Sequence, residues 1–298
     1  MKKTLAIVTP AYNRAHTLPR LFKSLEKQSC YDFKWYIIDD GSTDSTKQLC
    51  DDFYTDCFEI AYCFKKNGGK HTALNLAIDI VEEELFFIVD SDDYLTNDAV
   101  ETVVKDWHQY KSTPGISAMS YYRIHENGEV IGDHYKNNTP YMDTYINCRI
   151  LQKTSGDKAE VYVSAILKEF KFPVFENEHF LTESIVWIAI SKAGYKMVFI
   201  GKGIYICEYY GDGLTSQGRI KIKKNPLGSI CHAKSYLSDE FGFALQFKYA
   251  ILYTAACMFA QKGFKESYLE CPKRFKYLMA FPCGMLLYTY WKMKWRNK

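Results

Sequence analysis

Leu85-Phe86-Phe87-Ile88-Val89-Asp90-Ser91-Asp92-Asp93 is the stretch on which the fold turns. Five apolar residues in a row are too few for a buried helix and have no alternation, so they predict a strand covered on both faces. The run ends abruptly in an acidic cluster. Working back from it, Thr72–Val81 places Leu74, Ala77, Ile78 and Val81 on one helical face. Asn67-Gly68-Gly69 reads as a loop and Phe58–Phe64 as a strand. Trp35-Tyr36-Ile37-Ile38 is a second buried strand, stopping at Asp39-Asp40-Gly41-Ser42-Thr43-Asp44. Leu5–Thr9 is the first strand, ended by Pro10, and Leu18–Gln28 has helical spacing. Asn97–Tyr110 supplies a further helix downstream. Strands that alternate with helices predict an α/β fold, a mostly parallel Rossmann-like sheet flanked by helices. In such sheets ligands gather beyond the carboxyl ends of the strands. Three polar clusters fall at those ends: Pro10–Arg14, Asp39–Asp44 and Asp90–Asp93.

The second half is less regular. Ile116–Arg123 with Asn127-Gly128 and Glu129–Ile131 suggests a strand and hairpin, and Tyr141–Lys153 fits helix and strand equally. Thr182–Ala193 is helical, and Lys196–Ile200 and Ile204–Cys207 are strand-like. Beyond about Gly228 the chain reads as helical, broken by Pro272 and Pro282. The expected organisation is a catalytic region over residues 1–227, with halves 1–115 and 116–227, and a helical appendage over 228–298.

Composition narrows the function classes. The chain has 298 residues, 47% hydrophobic and 24% charged, as a globular protein should. A net charge of +3 argues for no nucleic acid partner. Arg219–Lys224 and the Lys292–Lys298 tail are locally cationic, which favours phosphates or acidic lipid. Ten cysteines without a CxxC pair exclude metal ribbons and thioredoxin chemistry and fit reduced thiols in a cytoplasm. Leu5–Val8 is too short for a signal peptide core, and no apolar run reaches membrane-spanning length. Met279–Tyr290 is apolar but short. It is expected to lie in a membrane interface, with Trp291 and Trp295 at headgroup level.

The acidic clusters have a chemical use. A diphosphate leaving group gains charge as its bond breaks, and a hard divalent cation held by carboxylate oxygen neutralises that charge. Asp90-Ser91-Asp92 at a strand end offers one carboxylate to magnesium or manganese and a neighbour to the nucleoside. A carboxylate of Asp39–Asp44 can accept from a ribose hydroxyl or a base imide, while Ser42 or Asp44 caps the next helix. Asn67-Gly68-Gly69-Lys70 lets backbone approach a ligand, and Lys70 can reach phosphate.

In this order and spacing, Ile7–Arg14, Ile38–Asp44, Asn67-Gly68-Gly69, Ala73-Leu74-Asn75 and Val89–Asp93 resemble a family 2 glycosyltransferase with the GT-A fold. The resemblance implies a nucleoside-diphosphate sugar donor, most often UDP-linked, and an inverting transfer to an acceptor hydroxyl. It implies that Pro10, Tyr12, Arg14, Asp39, Asp40, Asn67, Lys70, Asp90 and Ser91 bind the donor, and that Asp92 binds the metal. Many members carry Arg where this chain has Leu74, so that phosphate contact is not expected here. A general base opens a helix in the related enzymes, where this chain reads Glu183-Ser184. Glu183 is therefore the expected base, with Glu178 the second choice. Tyr209–Ser216 resembles a stretch that closes over the diphosphate, with Arg219, Lys221 and Lys223 beyond it. The implied acceptor is a glycan or lipid-linked glycan in surface polysaccharide or glycoconjugate assembly, met in the cytoplasm at the inner face of the cell membrane. Two rivals remain: a metal-dependent nucleotidyltransferase, and a non-catalytic scaffold for nucleotide or lipid. An oxidoreductase is disfavoured, because Pro10–Arg14 stands where a Gly-rich turn would follow strand one.

Overall fold

A computed structural model describes residues 2–207 and 219–295. The chain divides into two units. One comprises Met1–Lys171 with Val186–Tyr210, and the other Phe172–Ile185 with Gly211–Lys298.

The first unit is built on a nine-stranded sheet. Strands β1 (Leu5–Ala11), β2 (Phe33–Asp39), β3 (Glu59–Phe64) and β4 (Leu85–Ile88) alternate with helices α1 (Leu18–Glu26), α2 (Thr46–Asp51) and α3 (Lys70–Ile80). These four strands pair in parallel in the order β3-β2-β1-β4. Every residue of β1 is buried, as a strand covered on both faces requires. The strand runs on through Pro10 instead of ending there. The alternation explains why: Ala11 O accepts from Asp40 N on the β2 side, while Val8 O accepts from Val89 N on the β4 side. The missing N–H of Pro10 thus faces β4 beyond its last paired residue, where no ladder bond is lost.

Beyond β4 the sheet is mixed. β5 (Tyr94–Leu95) and helix α4 (Ala99–Tyr110) lead to β6 (Ile116–Ile124), β7 (Tyr141–Asp143) and β8 (Lys158–Val163). Helices α5 (Ser164–Glu169) and α6 (Ser184–Lys192) precede β9 (Lys196–Ile206). β8 runs antiparallel between β4 and β6, β9 lies parallel to β6, and β5 and β7 pair antiparallel with β9. The two strands read from Lys196–Cys207 are one. The expected hairpin shrinks to a single bridge between Ile124 and Val130. The ambiguous Tyr141–Lys153 stretch holds β7 and a π-helical turn over Ile146–Leu151.

The second unit is helical: α7 (Lys221–Lys224), α8 (Pro226–Ser235), α9 (Phe243–Phe259), α10 (Phe264–Glu270) and α11 (Arg274–Lys294). Pro272 lies between α10 and α11, but α11 continues through Pro282. A proline inside a helix removes one backbone bond, a loss that packing of the helix can outweigh. The packing here is close. A Cβ placed on Gly284 would come 2.4 Å from Cβ of Thr254 on α9. Trp291 and Trp295 are not surface anchors: they are 2% and 6% exposed, stack at 5.0 Å and pack on Ala255. No helix among the described residues is long and apolar enough to cross a membrane.

Candidate active site

The carboxyl edge of β1, β2 and β4 collects the three polar clusters. The turn after β1 is held to the turn after β2 by Asn13. Its N–H donates to Ser42 Oγ at 2.9 Å, and its Oδ1 accepts from Thr43 N at 2.8 Å. Arg14 N donates to Thr46 Oγ1 at 2.9 Å. Asp44 Oδ1 accepts from Thr46 N, the first residue of α2, as a capping carboxylate should. Pro10 is buried between these turns and Tyr12 is 47% exposed.

Asp39 and Asp40 are buried at 0% and 4% exposure. Asp39 accepts from Ser42 N at 2.7 Å and from the Tyr62 hydroxyl at 2.6 Å. Asp40 organises the glycine loop. Its oxygens accept from Gly68 N at 2.9 Å, Gly69 N at 2.7 Å and the Lys65 ammonium, and its carbonyl accepts from Asn67 Nδ2 at 2.8 Å. The two segments touch so closely that a Cβ on Gly41, at φ +85°, would meet Asn67 N at 2.7 Å. Sequence reasoning placed Asp40 against a ligand. The structure shows that it also fixes the loop from which α3 and Lys70 start.

Asp90 follows β4 by two residues and is clamped by two cations. Lys70 Nζ lies 2.5 Å from Oδ1, and Arg123 of β6 lies 3.2 Å from Oδ2. Burial alone would raise its pKa, but the two cations outweigh burial and hold the carboxyl well below the usual range. Arg123 also stacks on the Tyr205 ring at 4.1 Å and reaches Asp93 Oδ2 at 3.5 Å. The Tyr205 hydroxyl accepts from Asp90 N at 2.8 Å. Asp93 answers oppositely: burial and the neighbouring Asp90 charge push it up to about 7, against Arg123. Arg123 did not stand out in the sequence. Its only signal is a cation at the end of an apolar strand, and its partners lie 33 and 30 positions away.

Asp92 is partly buried beside this clamp. Burial and then the Asp90 charge raise its pKa, with Arg14 opposing. Its charge is therefore under-compensated, which suits a cation. Among the described residues no group of three or more His, Cys, Asp or Glu side chains converges on a metal position. A cation at Asp92 would need further oxygen from a ligand. Ser91 is buried at 6% exposure, and Leu74, at 0%, offers nothing to phosphate.

The two candidate bases belong to the second unit. Glu183 is partly buried and directly precedes α6, beside a Thr182–Ser184 hydroxyl pair at 3.0 Å. Glu178 is 7% exposed, and both its oxygens are engaged at the start of α8 by Leu227 N at 2.6 Å and Gly228 N at 2.7 Å. Lys223 donates to Trp295 O at 2.8 Å, and Lys221 sits 4.2 Å from the Phe180 ring centre. Tyr209–Ser216 lies outside the described residues.

The family description "Glycosyl transferase family 2" matches residues 6–157, about half of the chain. The chain belongs to glycosyl transferase family 2. Glycosyltransferase GlyA of Streptococcus pneumoniae serotype 4 is 27% identical to this transferase over 179 residues. That match covers 59% of the transferase and 25% of GlyA, so the chain spans about a quarter of that relative. S. aureus TarS 1–349, solved with UDP-GlcNAc, superposes with a TM-score of 0.67 at 19% identity, covering 94% of the transferase and 80% of TarS. The Pyrobaculum calidifontis mannosyltransferase PcManGT, solved with GDP-Man and Mn2+, superposes with a TM-score of 0.55 at 16% identity. This likeness covers 100% of the transferase and 89% of PcManGT. These likenesses establish the fold as the GT-A-like α/β architecture expected from the motifs. Family membership leaves the nucleotidyl-transfer reading without support.

Proposed function

We propose that the transferase moves a sugar from a nucleoside-diphosphate donor, UDP-linked, to an acceptor hydroxyl with inversion at the anomeric carbon. The observation that carries this reading is the clamped Asp90 beside under-compensated Asp92, at the carboxyl edge of the parallel strands. The two carboxylates divide the labour: Asp90 is held rigid and ionised for the nucleoside side, and Asp92 is the metal ligand. The TarS and PcManGT titles, naming UDP-GlcNAc and GDP-Man with Mn2+, support a nucleotide-sugar donor and a divalent cation, manganese or magnesium.

One protein carboxylate suits a cation that takes its remaining oxygens from the substrate diphosphate and water. When bound, that cation supplies positive charge where the departing diphosphate gains negative charge. The protein's own part is positioning. Pro10, Tyr12, Asp39, Asp40 and Asn67 shape the nucleoside pocket, Ser91 backs it, and Arg14 and Lys70 bring cationic side chains to the phosphates. Glu183 takes the proton from the attacking hydroxyl. Glu178 suits this role less, since both its oxygens accept from the amides of α8. Residues 1–115 serve the donor, 116–227 the acceptor, and 228–298 form the appendage. The acceptor is read as a glycan or lipid-linked glycan at the inner face of a cell membrane. The surface-polysaccharide setting rests on family analogy.

A panel of UDP- and GDP-sugars with manganese and magnesium tests this by thermal shift and by analysis of the released nucleotide. Selective stabilisation and release of nucleoside diphosphate are expected. Release of pyrophosphate, or no stabilisation by any nucleotide sugar, would overturn the reading.

A further inference from the structure

Helix α11 contains no acidic residue. Its inner face buries Tyr277, Ala280, Gly284 and Trp291. The opposite face presents Phe275, Met279, Pro282, Leu286, Tyr290 and Met293, all exposed and spaced by three or four residues. Phe275 and Leu286 are each 72% exposed and Met293 is 66% exposed. Thr289 shares this face but returns its hydroxyl to Met285 O at 2.9 Å, leaving its methyl outermost. At about 1.5 Å per residue the stripe extends for roughly 30 Å. A continuous apolar surface of this length on a folded protein marks an interaction site.

Charge selects the occupant. At about 100° per residue, Arg274 and Lys292 fall along one edge of the stripe and Lys276 and Lys294 along the other. The nearby acids are engaged: Asp239 pairs with Lys273, and Glu270 with Lys234 and Lys262. A second copy of the same face would set cationic edge against cationic edge, whether the helices ran parallel or antiparallel. A surface of anionic headgroups meets both edges with opposite charge and accepts the apolar stripe between them. No described helix is apolar and long enough to cross, so the helix would lie flat.

We propose that this face of α11 docks in the headgroup region of an anionic membrane. The inference deepens the membrane contact proposed for the transferase. It moves the anchoring from the buried tryptophans to the Phe275–Met293 stripe and its basic edges.

The test uses the full chain and phosphatidylcholine vesicles with and without phosphatidylglycerol, in the absence of donor and acceptor. Failure here therefore leaves the transfer chemistry standing. The intact protein should co-sediment with the anionic vesicles, less with neutral ones and less at high salt. F275D/L286D should reduce binding at least about tenfold while circular dichroism and melting stay unchanged. K292E/K294E, with the stripe intact, should lose the preference for anionic vesicles, since each basic residue near such a surface adds about fivefold. The proposal is overturned if the intact chain does not bind anionic vesicles or if F275D/L286D binds equally well. A concentration-dependent dimer that F275D/L286D dissolves would also overturn it, by assigning the face to a second copy.

Discussion

Replacing Arg123 by methionine keeps a stem of similar reach and removes the guanidinium from the Asp90 clamp. Three contacts vanish together: 3.2 Å to Asp90, 3.5 Å to Asp93 and the stack at 4.1 Å on Tyr205. The side chains are 14%, 22% and 8% exposed for Arg123, Asp90 and Asp93, so water replaces little of what is lost. Removing one partner of a buried pair destabilises by about 3–5 kcal/mol, chiefly because the charge left behind is uncompensated. A unit of this size loses about 2–4 °C in Tm per kcal/mol, so a fall of roughly 10 °C is expected. Differential scanning fluorimetry reads it directly. A double-mutant cycle with Asp90→Asn separates the clamp from general damage. D90N/R123M should be less impaired than the sum of the single variants, with a coupling of at least about 1 kcal/mol. Nucleotide-sugar affinity should fall in R123M by about tenfold or more, because Asp90 keeps Lys70 but loses its second cation. An R123M protein that melts with the wild type, or single-variant effects that simply add, would refute the clamp.

Asp92→Asn should abolish metal-dependent turnover, and turnover that survives chelation would remove the cation from the chemistry. Glu183→Gln should leave donor binding in place while transfer falls by at least about a hundredfold; unchanged turnover would place the base elsewhere. His232 lies against Tyr236 and Tyr249, and burial, with Lys248 adding to it, pulls its imidazole down to about 4. Its folded pKa is thus below the unfolded value of about 6.5. The stability it contributes is present above that value and is lost as pH falls toward 4. Thermal melting of the full chain should weaken across that window, and H232F should weaken less; identical slopes would refute the assignment.

Strands β1, β2 and β4 were legible because burial on both faces leaves an uninterrupted apolar run. β8 was not, since Lys-Ala-Glu-Val-Tyr-Val carries two charges in six residues. Lys158 is nevertheless 3% exposed, because its ammonium donates to the carbonyls of Ile131, Asp133 and Ser155. Those acceptors come from loops that no local pattern announces. β9 read as two strands because Gly201-Lys202-Gly203 resembles a break, whereas pairing with β6, β7 and β5 carries the backbone across it. The acidic edge of the site was legible from strand-end position alone. The cation that clamps it was not, because Arg123 meets Asp90 only through sheet order: β8 separates β4 from β6, and the long Arg side chain spans that gap. The expected membrane anchors failed for a related reason. Tryptophans near lysines look like a headgroup belt until the packing partner on α9 is known.

Gly284 works on α11 as a key works in a keyway. With no room for a Cβ against Thr254, the helix has one azimuth at which it seats on α9. That azimuth points Phe275, Leu286 and Met293 outward and sets lysines on either side. Gly284→Ala would leave the composition of the outer surface untouched and yet turn it, rolling one row of lysines inward and the other away. What the helix shows to its surroundings is thus decided on its hidden side, by the one residue there that lacks a side chain.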